Sequence, residues 1–159
     1  MPTPPDRGTY SLLFDVFVLE QRVGRLLEAA MAKSPLRPED YAVYSVVFEE
    51  EAVSPTVMAA ELSMPLTTVV DYIRVIESRG HCRRLPNPKD GRSYLVTLTA
   101  AGRRAHREAN RLFEKAYEAF LAALPQGERA ARSQIDQFLT AADVAARSIA
   151  ASLHPVGEP

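Results

Sequence analysis

The stretch that decides the fold runs from Ser54 to Arg104. It opens Ser54-Pro55-Thr56-Val57-Met58-Ala59-Ala60-Glu61-Leu62 and continues Ser63-Met64-Pro65-Leu66-Thr67-Thr68-Val69-Val70-Asp71-Tyr72-Ile73-Arg74-Val75-Ile76-Glu77-Ser78-Arg79-Gly80. It then reaches Cys82-Arg83-Arg84, a turn Pro86-Asn87-Pro88-Lys89-Asp90-Gly91-Arg92, and Ser93-Tyr94-Leu95-Val96-Thr97-Leu98-Thr99. Ser54 is a helix cap followed by a first-position proline, Pro65 starts a second helix after a short turn, and Gly80 stands in the usual terminator position. At ~100° per residue, Val69, Tyr72, Ile73 and Ile76 share one side of that second helix, and Thr67, Asp71, Arg74 and Ser78 share the other. One face packs and the other is free. The order is helix, turn, helix, then a hairpin with a basic tip, a unit that can lay one helix in a DNA groove while the hairpin straddles the backbone.

Charge distribution supports the same reading. The whole chain carries a net charge of -1, which by itself argues against a nucleic-acid binder. From Ser54 to Arg104, however, eight basic side chains stand against four acidic ones, giving +4 and leaving -5 for the remainder. Positive charge gathered on one face of an otherwise acidic molecule docks that face on polyphosphate while the others are repelled. An ordinary solvated surface with segregated charges is the competing explanation.

Outward from this segment the chain is mainly helical. Tyr10 to Ala32 carries Leu12, Leu13, Phe14, Val16, Phe17, Leu19, Val23, Leu26 and Leu27, too many apolar side chains for one stripe in its first half. A helix with two apolar faces needs a partner besides its own core, and a second copy of the chain is the simplest one. Pro38 with Glu39 and Asp40 makes a good first turn for a helix running to about Phe48. Thr99 caps a fifth helix from Ala100 to about Ala123, and Pro125 opens a sixth through about Leu153. The ends, Met1 to Gly8 and His154 to Pro159, are expected to fray. The 159 residues, 47% of them apolar, suffice for one domain with a full core. Within it, 9–34 plus 100–153 are expected to form a helical dimerisation region and 38–99 a winged helix-turn-helix DNA-binding lobe. No apolar run spans a membrane, the start lacks the order of a secretory signal, and Cys82 is the one cysteine, so a cytoplasmic setting is expected.

Met58 to Leu62, Thr67 to Gly80, the wing tip Asp90-Gly91-Arg92 and the strand end Leu98-Thr99-Ala100-Ala101-Gly102 together resemble the MarR family of transcriptional regulators. The Asp-x-Arg tip followed by Leu-Thr-x-x-Gly is the most specific part; a bare helix-turn-helix is common. The resemblance implies a mainly α winged helix-turn-helix fold of about six helices with a small β-hairpin wing, in an intertwined homodimer. It also implies a sequence-specific repressor of a pseudo-palindromic operator on double-stranded DNA, relieved by a small ligand, often aromatic or phenolic. No cofactor is implied. The alternative is a winged-helix dimer acting as a ligand-, metal- or protein-binding module with weak or no specific DNA binding.

The expected DNA contacts follow residue by residue. Thr67 and Thr68 near the start of the fourth helix would meet base edges or phosphates, and Arg74 would reach guanine or the backbone. Ser54 and Thr56 join them from the third helix. Lys89 and Arg92 at the tip would reach the minor groove or its phosphates. Asp90 either orients the Arg92 guanidinium or simply shapes the turn. Arg83 and Arg84 alternate along a strand, so one should face DNA while the other pairs with an acid. Compared with the family, Asp71 is an unusual groove-facing carboxylate, Val70 and Val75 are apolar where polar residues are frequent, and Ser63 replaces a common turn glycine.

Other signals are weaker. Phe14, Phe17, Tyr41, Tyr44 and Phe48 could line an effector pocket, with core packing the more economical account of each. Cys82 reads as a buried structural thiol, and His81, His106 and His154 lack the spacing of a metal site. No nucleophile and base pair, glycine-rich phosphate loop or paired acids appear, so the chain is not expected to be an enzyme.

Overall fold

The computed structural model describes residues 10–153; both ends expected to fray, with His154, lie outside the described residues. The elements are α1 (Leu12–Met31), α2 (Pro38–Glu50), α3 (Pro55–Glu61), α4 (Leu66–Ser78), β1 (Cys82–Pro86), β2 (Tyr94–Leu98), α5 (Ala100–Ala123) and α6 (Gly127–Leu153). The chain divides into two compact units, Met1–Ala116 and Tyr117–Pro159, with the boundary inside α5.

Local chemistry sets most of the helix ends. The Ser11 hydroxyl accepts from the Phe14 amide, so α1 begins at Leu12 rather than at Tyr10. Pro38 opens α2 and places Glu39 and Asp40 in its first turn, as expected, and the helix continues through Glu50. Ser54 caps α3 through the Val57 amide. Pro65 is the residue before α4 rather than its first, with extended backbone angles. Ser63 and Gly80 follow α3 and α4 with φ of 50° and 69°. At both ends the chain closes the same way: Ser63 and Met64 donate to the Ala60 and Ala59 carbonyls, and Gly80 and His81 donate to those of Glu77 and Ile76.

The core of the first unit gathers around α2. Val43, Tyr44 and Val47 meet Met58 of α3, Val69, Ile73 and Ile76 of α4, Val96 and Leu98 of β2, and Ala105 and Ala109 of α5. The hairpin pairs antiparallel with Cys82 opposite Leu98 and Pro86 opposite Tyr94. Val53 adds a short third bridge by exchanging two backbone hydrogen bonds with Val96.

The Leu-Thr-x-x-Gly segment acquires a physical role at the base of the wing. The Thr99 amide donates to the His81 carbonyl at 2.9 Å, while its hydroxyl donates to the Gly80 carbonyl and accepts from the Gly102 amide. A Cβ on Gly102 would lie 2.1 Å from the His81 carbonyl oxygen, so only glycine lets α5 approach the end of α4 this closely.

The second unit contains the end of α5 and all of α6. Pro125 does not open α6, contrary to the sequence reading. It lies in a turn from Leu124 to Gly127, closed by a Gly127 to Leu124 backbone hydrogen bond, and the helix starts where Gly127 takes φ 75°. Tyr117 donates to Glu128, which also accepts from Arg132. None of the α6 side chains is buried, and Ile135, Phe138, Leu139, Val144, Ile149 and Leu153 are exposed.

Candidate nucleic-acid interface

On α4, Val69, Ile73 and Ile76 are buried and Tyr72 is half-buried, while Thr67, Asp71, Arg74 and Ser78 are exposed. The division of the helix into a packed and a free face is therefore as expected. Thr68 and Val70 are half-buried at its flanks, and Val75 is exposed. Thr56 is exposed on α3, whereas Ser54 is spent on the cap and half-buried. The unusual carboxylate has a partner on its own helix: Asp71 accepts from Arg74 at 2.9 Å, one turn on. Both side chains are well exposed, so the pair is screened and weak, and a phosphate competes readily for the guanidinium.

The hairpin sorts its two arginines as the alternation requires. Arg84 pairs with Glu77 at 2.9 Å, and its guanidinium lies 4.5 Å from the centre of the Tyr94 ring. Arg83, on the opposite face, is exposed and has no acidic partner within the described residues.

The tip is built by side chains that accept backbone N–H groups. Asn87 accepts from the Lys89 amide, and the Asp90 carboxylate accepts from the Arg92 amide at 3.0 Å. Of the two roles considered for Asp90, the structure shows the turn-shaping one; its bond goes to the Arg92 backbone rather than to the guanidinium. Lys89 and Arg92 are exposed, with no ion pair to either among the described residues.

Behind this surface, α2 holds the end of α4. Buried Asp40 accepts from Arg79 at 3.0 Å, and the hydroxyl of fully buried Tyr44 is 2.8 Å from His81 Nδ1. Neither link is visible in the sequence, since the partners lie 39 and 37 residues apart. Cys82 is buried with its thiol donating to the Ile73 carbonyl, and burial pushes its pKa up to about 11. A thiol so protonated is a poor nucleophile, in keeping with a structural role.

The five candidate pocket residues separate. Tyr41 and Phe48 stack against His106, Tyr44 belongs to the core, and Phe14 stacks on Tyr10 while Phe14 and Phe17 stand exposed on α1. Two recesses of the first unit lie elsewhere, one along α5 at Arg104, Arg107, Asn110 and Arg111, the other at the α1 to α2 turn beside Asp40 and Arg79. Among the described residues no group of three or more His, Cys, Asp or Glu gathers as a metal site, and no helix is long and apolar enough to cross a membrane.

Six helices with an antiparallel hairpin after the helix-turn-helix define the winged-helix class. The chain has the fold of the MarR-family regulators. It superposes on the M. tuberculosis transcriptional regulator MOSR in complex with DNA (TM-score 0.74, 20% identity, 86% of this chain and 98% of that one). It superposes almost as well on a cysteine-to-serine mutant of MarR from E. coli with operator DNA (TM-score 0.72, 20% identity, 86% and 99%). A third likeness is the PcaV transcriptional regulator of Streptomyces coelicolor with its natural ligand (TM-score 0.71, 22% identity, 91% and 99%). In sequence, 92 residues are 29% identical to the HTH-type transcriptional regulator TtmR of Methylorubrum extorquens (strain PA1), covering 58% of this chain and 47% of that protein. The match thus spans about half the length of that curated relative. No family model matches the chain. Three of these proteins are described as transcriptional regulators and none as an enzyme.

Proposed function

We propose that the chain is a homodimeric, sequence-specific DNA-binding transcriptional regulator that represses at a pseudo-palindromic operator and releases it when a small aromatic ligand binds. The observation that carries the DNA-binding half is the wing tip: Lys89 and Arg92 stand exposed with no ion pair among the described residues, and the Asp90 carboxylate accepts from a backbone amide. That leaves cationic groups on a preformed turn beside a helix whose free face offers Thr67 and Arg74. MarR and MOSR with DNA, and PcaV with its ligand, support the reading by analogy of fold.

Dimerisation would use helices within 9–34 and 100–153, and 38–99 would meet DNA. In support, α1 and α6 each expose a row of apolar side chains. Of the aromatic candidates, Tyr41 is half-buried and its hydroxyl donates to Asn110, a polar pair that would suit an effector.

The test uses the full chain and a duplex recovered by selection from random DNA. Arg92→Ala should weaken binding to selected and unselected duplexes alike and lower the slope of log affinity against log salt by ~1. Binding equal to wild type across several salt concentrations would remove the wing from the interface.

A further inference from the structure

His106 is buried on α5 between two aromatic rings of α2, with Tyr41 at 5.3 Å and Phe48 at 4.3 Å between ring centres. Its Nε2 lies 3.0 Å from the Ser45 hydroxyl, which also lies 2.8 Å from the Tyr41 carbonyl oxygen. A carbonyl cannot donate, so the single Ser45 hydroxyl proton points at Tyr41, and His106 must supply the other bond from Nε2–H. This fixes the tautomer. Nδ1 is then the bare nitrogen, and it is buried with no hydrogen-bond partner among the described residues. A proton arriving there would put an N–H and a positive charge into an apolar stack with no acceptor.

The position of the ring gives this a consequence. Tyr41, Ser45 and Phe48, spaced i, i+4 and i+7, form the stripe of α2 that faces α5, while Asp40 and Tyr44 on the adjoining stripe hold Arg79 and His81 at the end of α4. One helix therefore links the His106 joint to the helix that would enter the DNA groove. Resting on the DNA-binding reading above, we propose that His106 is a proton-operated joint: uptake of a proton at Nδ1 parts α5 from α2 and so loosens the seating of α4 on DNA.

The surrounding charges do not cancel this. Burial is the main influence holding the imidazole below its ordinary pKa; Glu49 on α2 opposes it and Arg107 on α5 adds to it. The sign follows. The packed state binds fewer protons than the opened one, so the packing is fully present above the ordinary histidine value and is lost as pH falls below it.

Three measurements on the full chain decide the matter, comparing wild type with His106→Phe, which keeps an aromatic ring in the stack but cannot titrate. Amide exchange across residues 41–48 and 102–110, corrected for its intrinsic pH dependence, should show opening that grows by up to about tenfold per pH unit below the ordinary histidine range in wild type. His106→Phe should stay flat. The dissociation constant for a duplex selected at about pH 7.5 should rise several-fold by about pH 5.5 in wild type and not in the variant. NMR titration of the wild-type imidazole, which needs no variant, should place His106 below the ordinary value. Titration at or above that value, equal opening in both proteins, or opening without loss of DNA affinity overturns the proposal. If selection recovers no duplex, the DNA-binding reading falls, and exchange and titration still decide whether the joint responds to protons.

Discussion

Asp40, Val43, Tyr44 and Val47 are buried in α2, whereas Met31 alone is buried in α1, although α1 carries Leu12, Leu13, Phe14, Val16, Phe17, Leu19 and Leu26. Apolar content does not separate the two helices; the availability of partners within the chain does. α2 has α3, α4, β2 and α5 around it, so even its polar positions find uses: Asp40 takes Arg79, Tyr44 takes His81, and Ser45 takes His106. Leu13 is 79% and Phe17 55% exposed. A row of that kind on a monomer is an aggregation hazard, and on an oligomer it is an interface. One helix thus finds its partners within the first unit, while the other leaves most of its large apolar side chains exposed.

The largest expected effect attacks the exposed helix. Leu13→Ser should change nothing in a folded monomer beyond about 0.5 kcal/mol, the usual range for surface positions. If a second copy covers α1, the same change removes about 2 kcal/mol at each of two symmetry-related sites. Association of the dimer should then be about a thousandfold weaker, at ~4 kcal/mol. Sedimentation equilibrium distinguishes the two cases, and an unchanged dimer would remove Leu13 from the interface.

A smaller effect is expected where the chain is closed on itself. Gly102→Ala would force a methyl group against the His81 backbone, where the built Cβ lies 2.1 Å from the carbonyl oxygen. Backbone cannot swing aside as a side chain can, so α5 must move from the wing base at about 3 kcal/mol. Denaturant unfolding should show a lower midpoint with an unchanged slope. Full stability in the variant would mean that α5 does not approach His81 as described.

What could be read in advance divides along the same line. Helix periods, caps and the wing were legible because they are local: Ser54, Thr99 and the free face of α4 act within a few residues. The Arg83 and Arg84 alternation was legible for the same reason. The Asp40–Arg79, Tyr44–His81 and Ser45–His106 links were not, because no period relates residues that meet only after α2, α4 and α5 pack. In the sequence His106 offers only a metal-ligand reading, and no second ligand stands at helical spacing from it. Pro125 misled because proline suits a turn as well as a first helical position, and the deciding residue was Gly127 with its positive φ.

The smallest expected effect lies at the two helix ends that are built alike. Ser63 and Gly80 occupy the same place in the same closing motif after α3 and α4, at φ 50° and 69°. A Cβ at Gly80 would meet no atom within 4 Å, so the difference between serine and glycine there is conformational rather than steric crowding by neighbours. An L side chain in the left-handed region is disfavoured by roughly 1–2 kcal/mol, and glycine returns part of that through its greater freedom when unfolded. Ser63→Gly should therefore stabilise by about 0.5–1 kcal/mol and Gly80→Ser should destabilise by a similar amount. Thermal unfolding of the two single variants and of the exchanged pair checks this, the pair returning near wild type because the sites are separate. If Ser63→Gly were destabilising, the serine side chain would be contributing more to the turn than its backbone angle takes away.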